Sequence, residues 1–197
     1  IIIENKNGTE ALSARIFIDC TGDADLASMA GVQMQPDEGP LQPLSSYFIL
    51  GGVNIGTPMM QEAIRHNKQG ENCHCLPVRE KLLERKEELG IPEFGGPWFC
   101  RTGQDGVVTV NMTRTAGNAI DNRDFVRAEC ILREDAFRMA KLLKDNFEEF
   151  KDSYLFAVSV QGGIRETRRI KGIHTITAEE YVNAYHYSDS IDRGAHP

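Results

Sequence analysis

Ile18-Asp19-Cys20-Thr21-Gly22-Asp23-Ala24-Asp25 is the stretch on which the reading of this chain turns. An apolar run stops at Thr-Gly and a short helical pattern starts at once. It continues through Ala30, with Gly31 in the position where a left-handed residue commonly ends a helix. Glycine lets a bound group approach the backbone closely, and the free N–H groups of a helix start suit polar or anionic ligand atoms. The same residues also fit an ordinary strand-to-helix turn capped by Asp23.

Working outward, residues 1–4 read as a strand, Asn5-Lys6-Asn7-Gly8 as a hairpin turn, and residues 12–20 as a second strand. Residues 36–43 form a loop and residues 45–53 a strand. Thr57-Pro58 opens a helix with Thr as cap and Pro in the first helical position. Residues 78–89 read as one charged helix closed by Gly90. Residues 98–101 and 107–112 read as strands around Gly103-Gln104-Asp105-Gly106. The longest element is capped by Asp121 or Asn122 and runs to about Phe147. Its apolar positions Phe125, Ala128, Ile131, Leu132, Ala136, Met139, Ala140 and Leu143 recur at threes and fours. Residues 154–161 and 164–171 are two strands joined at Gly162-Gly163, and Thr177-Ala178-Glu179-Glu180 is a capping box. Strands and helices interleave without regular βαβ spacing. That predicts an α+β fold, a largely antiparallel sheet with packed helices.

Composition narrows the function classes. The 197 residues are 41% hydrophobic and 26% charged, which excludes wholesale disorder. No apolar run approaches the roughly 18 residues of a membrane span. A net charge of −7 makes a poor binder of phosphate backbones, so no nucleic-acid partner is expected. Cys20, Cys73, Cys75, Cys100 and Cys130 are odd in number and irregular in spacing, unlike a secreted disulfide framework. A reducing, cytoplasmic setting is expected. The sequence opens on Ile1-Ile2-Ile3 and closes on Gly194-Ala195-His196-Pro197, which reads as a segment of a longer polypeptide.

Two further features bear on chemistry. Arg165, Arg168, Arg169 and Lys171 put four cations within seven residues of an acidic chain. In a strand Arg165, Thr167, Arg169 and Lys171 share one face, and Ile164, Glu166, Arg168 and Ile170 the other. A row of arginines suits a carboxylate or phosphate through bidentate forks. Arg165 and Arg169 are therefore expected to face a ligand, with Glu166 and Arg168 behind them in packing and ion pairing. A solvated face, or ion pairs to acidic residues elsewhere, fits the same pattern. Cys73-His74-Cys75, with Cys100 farther on, offers soft ligands, but adjacent residues rarely share one ion and no second pair exists, so no metal is expected. Asn111-Met112-Thr113 is a chance glycosylation sequon. No nucleophile–base motif, Walker loop or G-x-G-x-x-G occurs, and no residue is singled out as catalytic.

The segment from Ala14 to Ala27, followed by Ala30-Gly31, resembles the A-x-x-x-I-D-A-T-G-D-G-D-L-A…A-G segment of FAD-dependent oxidoreductases with the glutathione-reductase-like fold, closest to a branch of bacterial flavoproteins. That branch also carries G-[VI]-R-E-[ST]-R-R-I-x-G, matched by Gly163 to Gly172. L-T-x-x-D/E is matched from Ile176 to Glu180, and D-x-I-x-x-G-x-x-P by Asp189, Ile191, Gly194 and Pro197. Asn111, Thr113, Asp121 and Arg127-Ala128-Glu129 are similar to the family's middle. Cys20 stands where the family has Ala, Ala24 where it has Gly, and Ile173-His174 where it often has Asp-Tyr. The resemblance implies the substrate or cap region of a two-domain flavoprotein. Residues 1–31 would end an FAD-binding domain; residues 32–197 would form a substrate-binding domain with a return strand. Thr21, Gly22, Asp23 and Asp25 would lie beside FAD, and Arg165, Glu166, Arg168 and Arg169 would contact a small polar or anionic substrate. The partners would be that substrate and the missing N- and C-terminal FAD-binding segments. Without them the chain is expected to hold flavin weakly or not at all and to be inactive. The alternatives are a non-catalytic anion-binding domain and, third, a small metal-binding module.

Overall fold

The computed structural model describes residues 1–36, 39–67, 76–91 and 96–191. In chain order its elements are β1 (Ile2–Asn5), β2 (Gly8–Ala11), α1 (Asp25–Met29), β3 (Tyr47–Gly51), α2 (Pro58–Asn67), α3 (Leu76–Leu83), α4 (Lys86–Leu89), β4 (Trp98–Arg101), β5 (Val108–Asn111), α5 (Asn122–Asn146), β6 (Tyr154–Val158) and α6 (Ala178–Val182). The fold is mixed, and both sheets are antiparallel. The chain forms two compact units, residues 39–167 and residues 1–38 with 168–197. Among the described residues no helix is long and apolar enough to cross a membrane.

In the unit of residues 39–167, four strands lie in the order β4-β5-β3-β6. Period-two alternation sends Phe48, Leu50, Phe99, Val108 and Val110 to one face, where all are at most 1% exposed. They pack with Met60, Val78, Leu82, Met139, Leu143 and Phe150 into one core. Burying each such side chain contributes roughly 1.5–3 kcal/mol. Helix α5 supplies the other wall as its spacing predicts, with Ala136, Met139 and Leu143 fully buried in this core and Ala128 and Leu132 fully buried in a smaller cluster with Leu44. Asp121 caps it, its carboxylate accepting from the amides of Arg123 at 2.9 Å and Asp124 at 3.4 Å. The expected helix over 78–89 is instead two, α3 and α4, separated at Glu84-Arg85; Gly90 then takes the left-handed conformation, φ 59°.

On the opposite face of the same sheet the side chains are exposed, Tyr47 at 50%, Tyr154 at 57% and Phe156 at 61%. Trp98, Asn111 and Tyr47 stand in register across β4, β5 and β3. Tyr154 lies over Gly51, where a Cβ would come within 2.5 Å of the tyrosine ring, and tilts against Phe156 at 6.5 Å between centroids.

The unit of residues 1–38 and 168–197 is built differently. β1 and β2 form a hairpin in which Asn5 pairs with Gly8. The second strand therefore begins four residues earlier than expected, and residues 12–20 are not a strand. The reason is the lack of a neighbour: Ile16 and Ile18 are 78% and 79% exposed, and no described segment pairs with them. A strand exists only through its ladder. The same reason corrects residues 164–171. Gly163 bridges to Ser45 and Ile170 to Met34, and between these isolated bridges no continuous ladder forms. Helix α6 has its capping box as expected, with Thr177 and Glu180 exchanging side-chain and amide bonds.

Candidate functional site

The Thr-Gly turn is organised by Asp19. One carboxylate oxygen accepts from the Thr21 amide at 2.9 Å and the Thr21 hydroxyl at 2.7 Å; the other accepts from the Ala27 amide at 2.8 Å. The Thr21 hydroxyl in turn accepts from the Asp25 amide at 2.9 Å. Asp19 and Thr21 therefore occupy the Ala27 and Asp25 amides at the helix start, and the N-cap residue of α1 is Ala24 and not Asp23. Amide donation, first from Thr21 and then from Ala27, holds the Asp19 carboxyl below the usual carboxylate range. Ala24, just before α1, has φ 54° and ψ 38°, left-handed for a residue with a Cβ. A glycine at this place, as in the resembling family pattern, would sit there without strain. Gly22, φ 82°, has no atom within 4 Å of where a Cβ would stand, so its backbone is open to approach.

Asp25 receives a charged hydrogen bond from Arg168. The Arg168 side chain is 22% exposed, and its Nε is buried without a hydrogen-bond partner. Arg168 thus ties the return segment to the first turn of α1. Of the other residues expected at a ligand site, Glu166 accepts from the Gln42 amide at 2.9 Å, while Arg165 and Arg169 are exposed. Thr167, expected on the face of Arg165 and Arg169, is 6% exposed. The segment passes from one compact unit to the other between Thr167 and Arg168, so it is not one continuous row within one unit.

Arg114 was not among the residues singled out in the sequence. It is 9% exposed and donates through Nη1 to the Asn111 side-chain oxygen Oδ1 at 2.7 Å and to the Thr113 main-chain oxygen at 2.5 Å. Burial pushes its pKa below the usual arginine value, and the charge of Arg165 pushes it further down. Asp19 was likewise missed as a site residue; the Asp-x-Thr spacing, which favours a side-chain turn onto the next amides, is the signal that finds it. Nothing local marks Arg114. Cys73-His74-Cys75 lies outside the described residues, and among those described no group of three or more His, Cys, Asp or Glu is arranged to hold a metal.

A family model described as FAD dependent oxidoreductase matches residues 1–197, the whole chain. No curated protein and no solved structure matches it.

Proposed function

Because the chain belongs to the FAD-dependent oxidoreductases, we propose that it handles the substrate of an FAD-linked redox enzyme, with Thr21, Gly22, Asp23 and Asp25 flanking the flavin. The observation that carries this reading is the family match over the entire chain. The turn fits such a role in one respect: Gly22 offers open backbone beside a carboxylate-organised loop. It does not fit a pyrophosphate cradle, because Asp19 and Thr21 already take the amides of Ala27 and Asp25. When bound, the flavin supplies the electron and hydride chemistry. In this reading residues 1–31 belong with an FAD-binding domain and residues 32–197 with the substrate, a small polar or anionic molecule met by Arg165, Glu166, Arg168 and Arg169. The phosphate-cradling segments lie in a longer polypeptide of which this chain is the middle.

Titrating FAD into the 197-residue chain, with flavin fluorescence and hydrogen exchange as readouts, tests this. The expected dissociation constant is weaker than about 1 µM, which corresponds to about −8 kcal/mol. Saturating flavin should slow exchange at residues 21–25. Submicromolar affinity would mean that the chain cradles the pyrophosphate itself. Flavin binding with unchanged exchange at residues 21–25 would remove the turn from the site.

A further inference from the structure

We infer that Arg114 and Arg165, on the open face of the four-stranded sheet, form a binding site for the carboxylate of a small molecule with an aromatic or apolar body. That this ligand is the redox substrate rests on the function proposed above; that it binds does not.

Arg114 carries an unbalanced charge. Arg114 is nine-tenths buried, yet no carboxylate pairs with it among the described residues. Its bonds go to two neutral oxygens, both through Nη1. Nε is buried without a partner, and Nη2 has no protein acceptor among the described residues. Buried guanidinium groups are ordinarily matched by an anion, because desolvation of an unmatched charge is costly. A second cation, Arg165, repels Arg114 and adds to the cost of burial. Arg165 itself has no ion-pair partner among the described residues. Two arginines brought together with no acid between them are the arrangement an incoming anion would stabilise.

The fold holds the pair in place from both sides. Leu44 bridges to Thr115 and Ser45 to Gly163, so the segments carrying Arg114 and Arg165 flank the strand that leads into β3. The Thr113 hydroxyl locks to Ser46 through two 2.8 Å bonds. Asn111, which fixes Arg114, donates to the Tyr47 hydroxyl at 3.1 Å. The ring of Trp98 lies 5.5 Å beneath the guanidinium carbon of Arg114.

The ligand class follows from what surrounds the charges. Arg114 has committed Nη1, which leaves one donor edge there and one fork on Arg165, a match for two carboxylate oxygens. Among the described residues no nest of backbone amides, the usual cradle of a phosphate, takes part. The adjoining surface is aromatic: Tyr47, 50% exposed, and Trp98 stand on either side of Asn111 in register across the sheet.

Trp98 is the chain's one tryptophan and reports directly on the site. Benzoate, benzamide and inorganic phosphate would be titrated separately into the 197-residue chain, without flavin, following tryptophan fluorescence. Saturable benzoate binding is expected, with benzamide and phosphate each at least about tenfold weaker, the effect of one lost charged hydrogen bond. Arg165→Gln, at an exposed position, should raise the benzoate dissociation constant about tenfold with an unchanged circular dichroism spectrum. Arg114→Lys, which keeps the charge but not the fork, should weaken binding similarly. Equal binding of benzoate and benzamide, phosphate tighter than benzoate, no benzoate response, or wild-type affinity in Arg165→Gln would each overturn the inference. Flavin is absent throughout, so failure here is distinct from failure of the flavin titration.

Discussion

Residues 39–167 bury a core of aromatic and aliphatic side chains at or near zero exposure, whereas the described residues of 1–38 and 168–191 include none that is buried. Both units are rich in Ile, Leu, Val and aromatic residues, so composition does not separate them. The difference lies in what their strands find. In the first unit the apolar faces of four paired strands meet α5 and α2. In the second, a two-stranded hairpin, an unpaired extended run and two five-residue helices leave Ile2, Ile18, Met29, Ile173 and Val182 at least 76% exposed. Hydrophobic stabilisation scales with area removed from water, so the second unit is held instead by polar contacts: Asp19 on the turn, Asp25 with Arg168, and the Thr177 capping box.

That contrast can be broken by paired substitutions. Phe48→Ala, in the first core, should cost about 3–5 kcal/mol. Ile18→Ala should change stability by less than about 0.5 kcal/mol, since it removes surface already in water. Both are read by urea denaturation; a large effect at Ile18 would mean that the second unit has a core after all. Next in size, Ala24→Gly should stabilise the turn by about 1 kcal/mol by relieving the left-handed alanine. It would appear as about fivefold slower exchange of the Ser28 amide, which bonds the Ala24 carbonyl at 2.9 Å. No slowing would show that the strain is taken up elsewhere.

A double-mutant cycle on Asp25→Asn and Arg168→Gln should give a coupling of roughly 0.5–1 kcal/mol, because Asp25 is 45% exposed and water screens the pair. A coupling near zero would remove the polar tie from the second unit. The smallest effect is a local pH response. The Thr177 amide, the Tyr187 and Thr177 hydroxyls and His174 hold the Glu180 carboxyl down to about 2 from an ordinary 4.5. A lowered folded-state pKa contributes stability present above the ordinary value and lost as pH falls toward the folded one. The Asn183 amide in α6 should therefore lose protection between pH 4.5 and about 2, relative to the amides of α5. Constant relative protection across that window would mean that the capping box does not hold α6.

What sequence alone determined follows the range of the forces involved. Helix α5 is legible nearly to the residue, because its cap at Asp121 and its threes-and-fours spacing are local. So is the capping box at Thr177, whose two bonds close within three residues. The strand cores of β3, β4, β5 and β6 were legible from alternation, and antiparallel pairing from the absence of crossover helices. Residues 12–20 and 164–171 alternate just as well, yet whether an alternating run becomes a strand depends on a neighbour that may be distant in the chain. The turn divided the same way. Its place at Thr21-Gly22 was written in the sequence, but only folding showed Asp19 reaching eight residues ahead to the Ala27 amide. Arg114 marks the limit most clearly. Its anchor Asn111 lies three residues away, but the ring beneath its guanidinium, Trp98, and the cation that repels it, Arg165, lie sixteen residues before it and fifty-one after. Desolvation and charge repulsion are properties of assembled surroundings, and only the tertiary structure decides them.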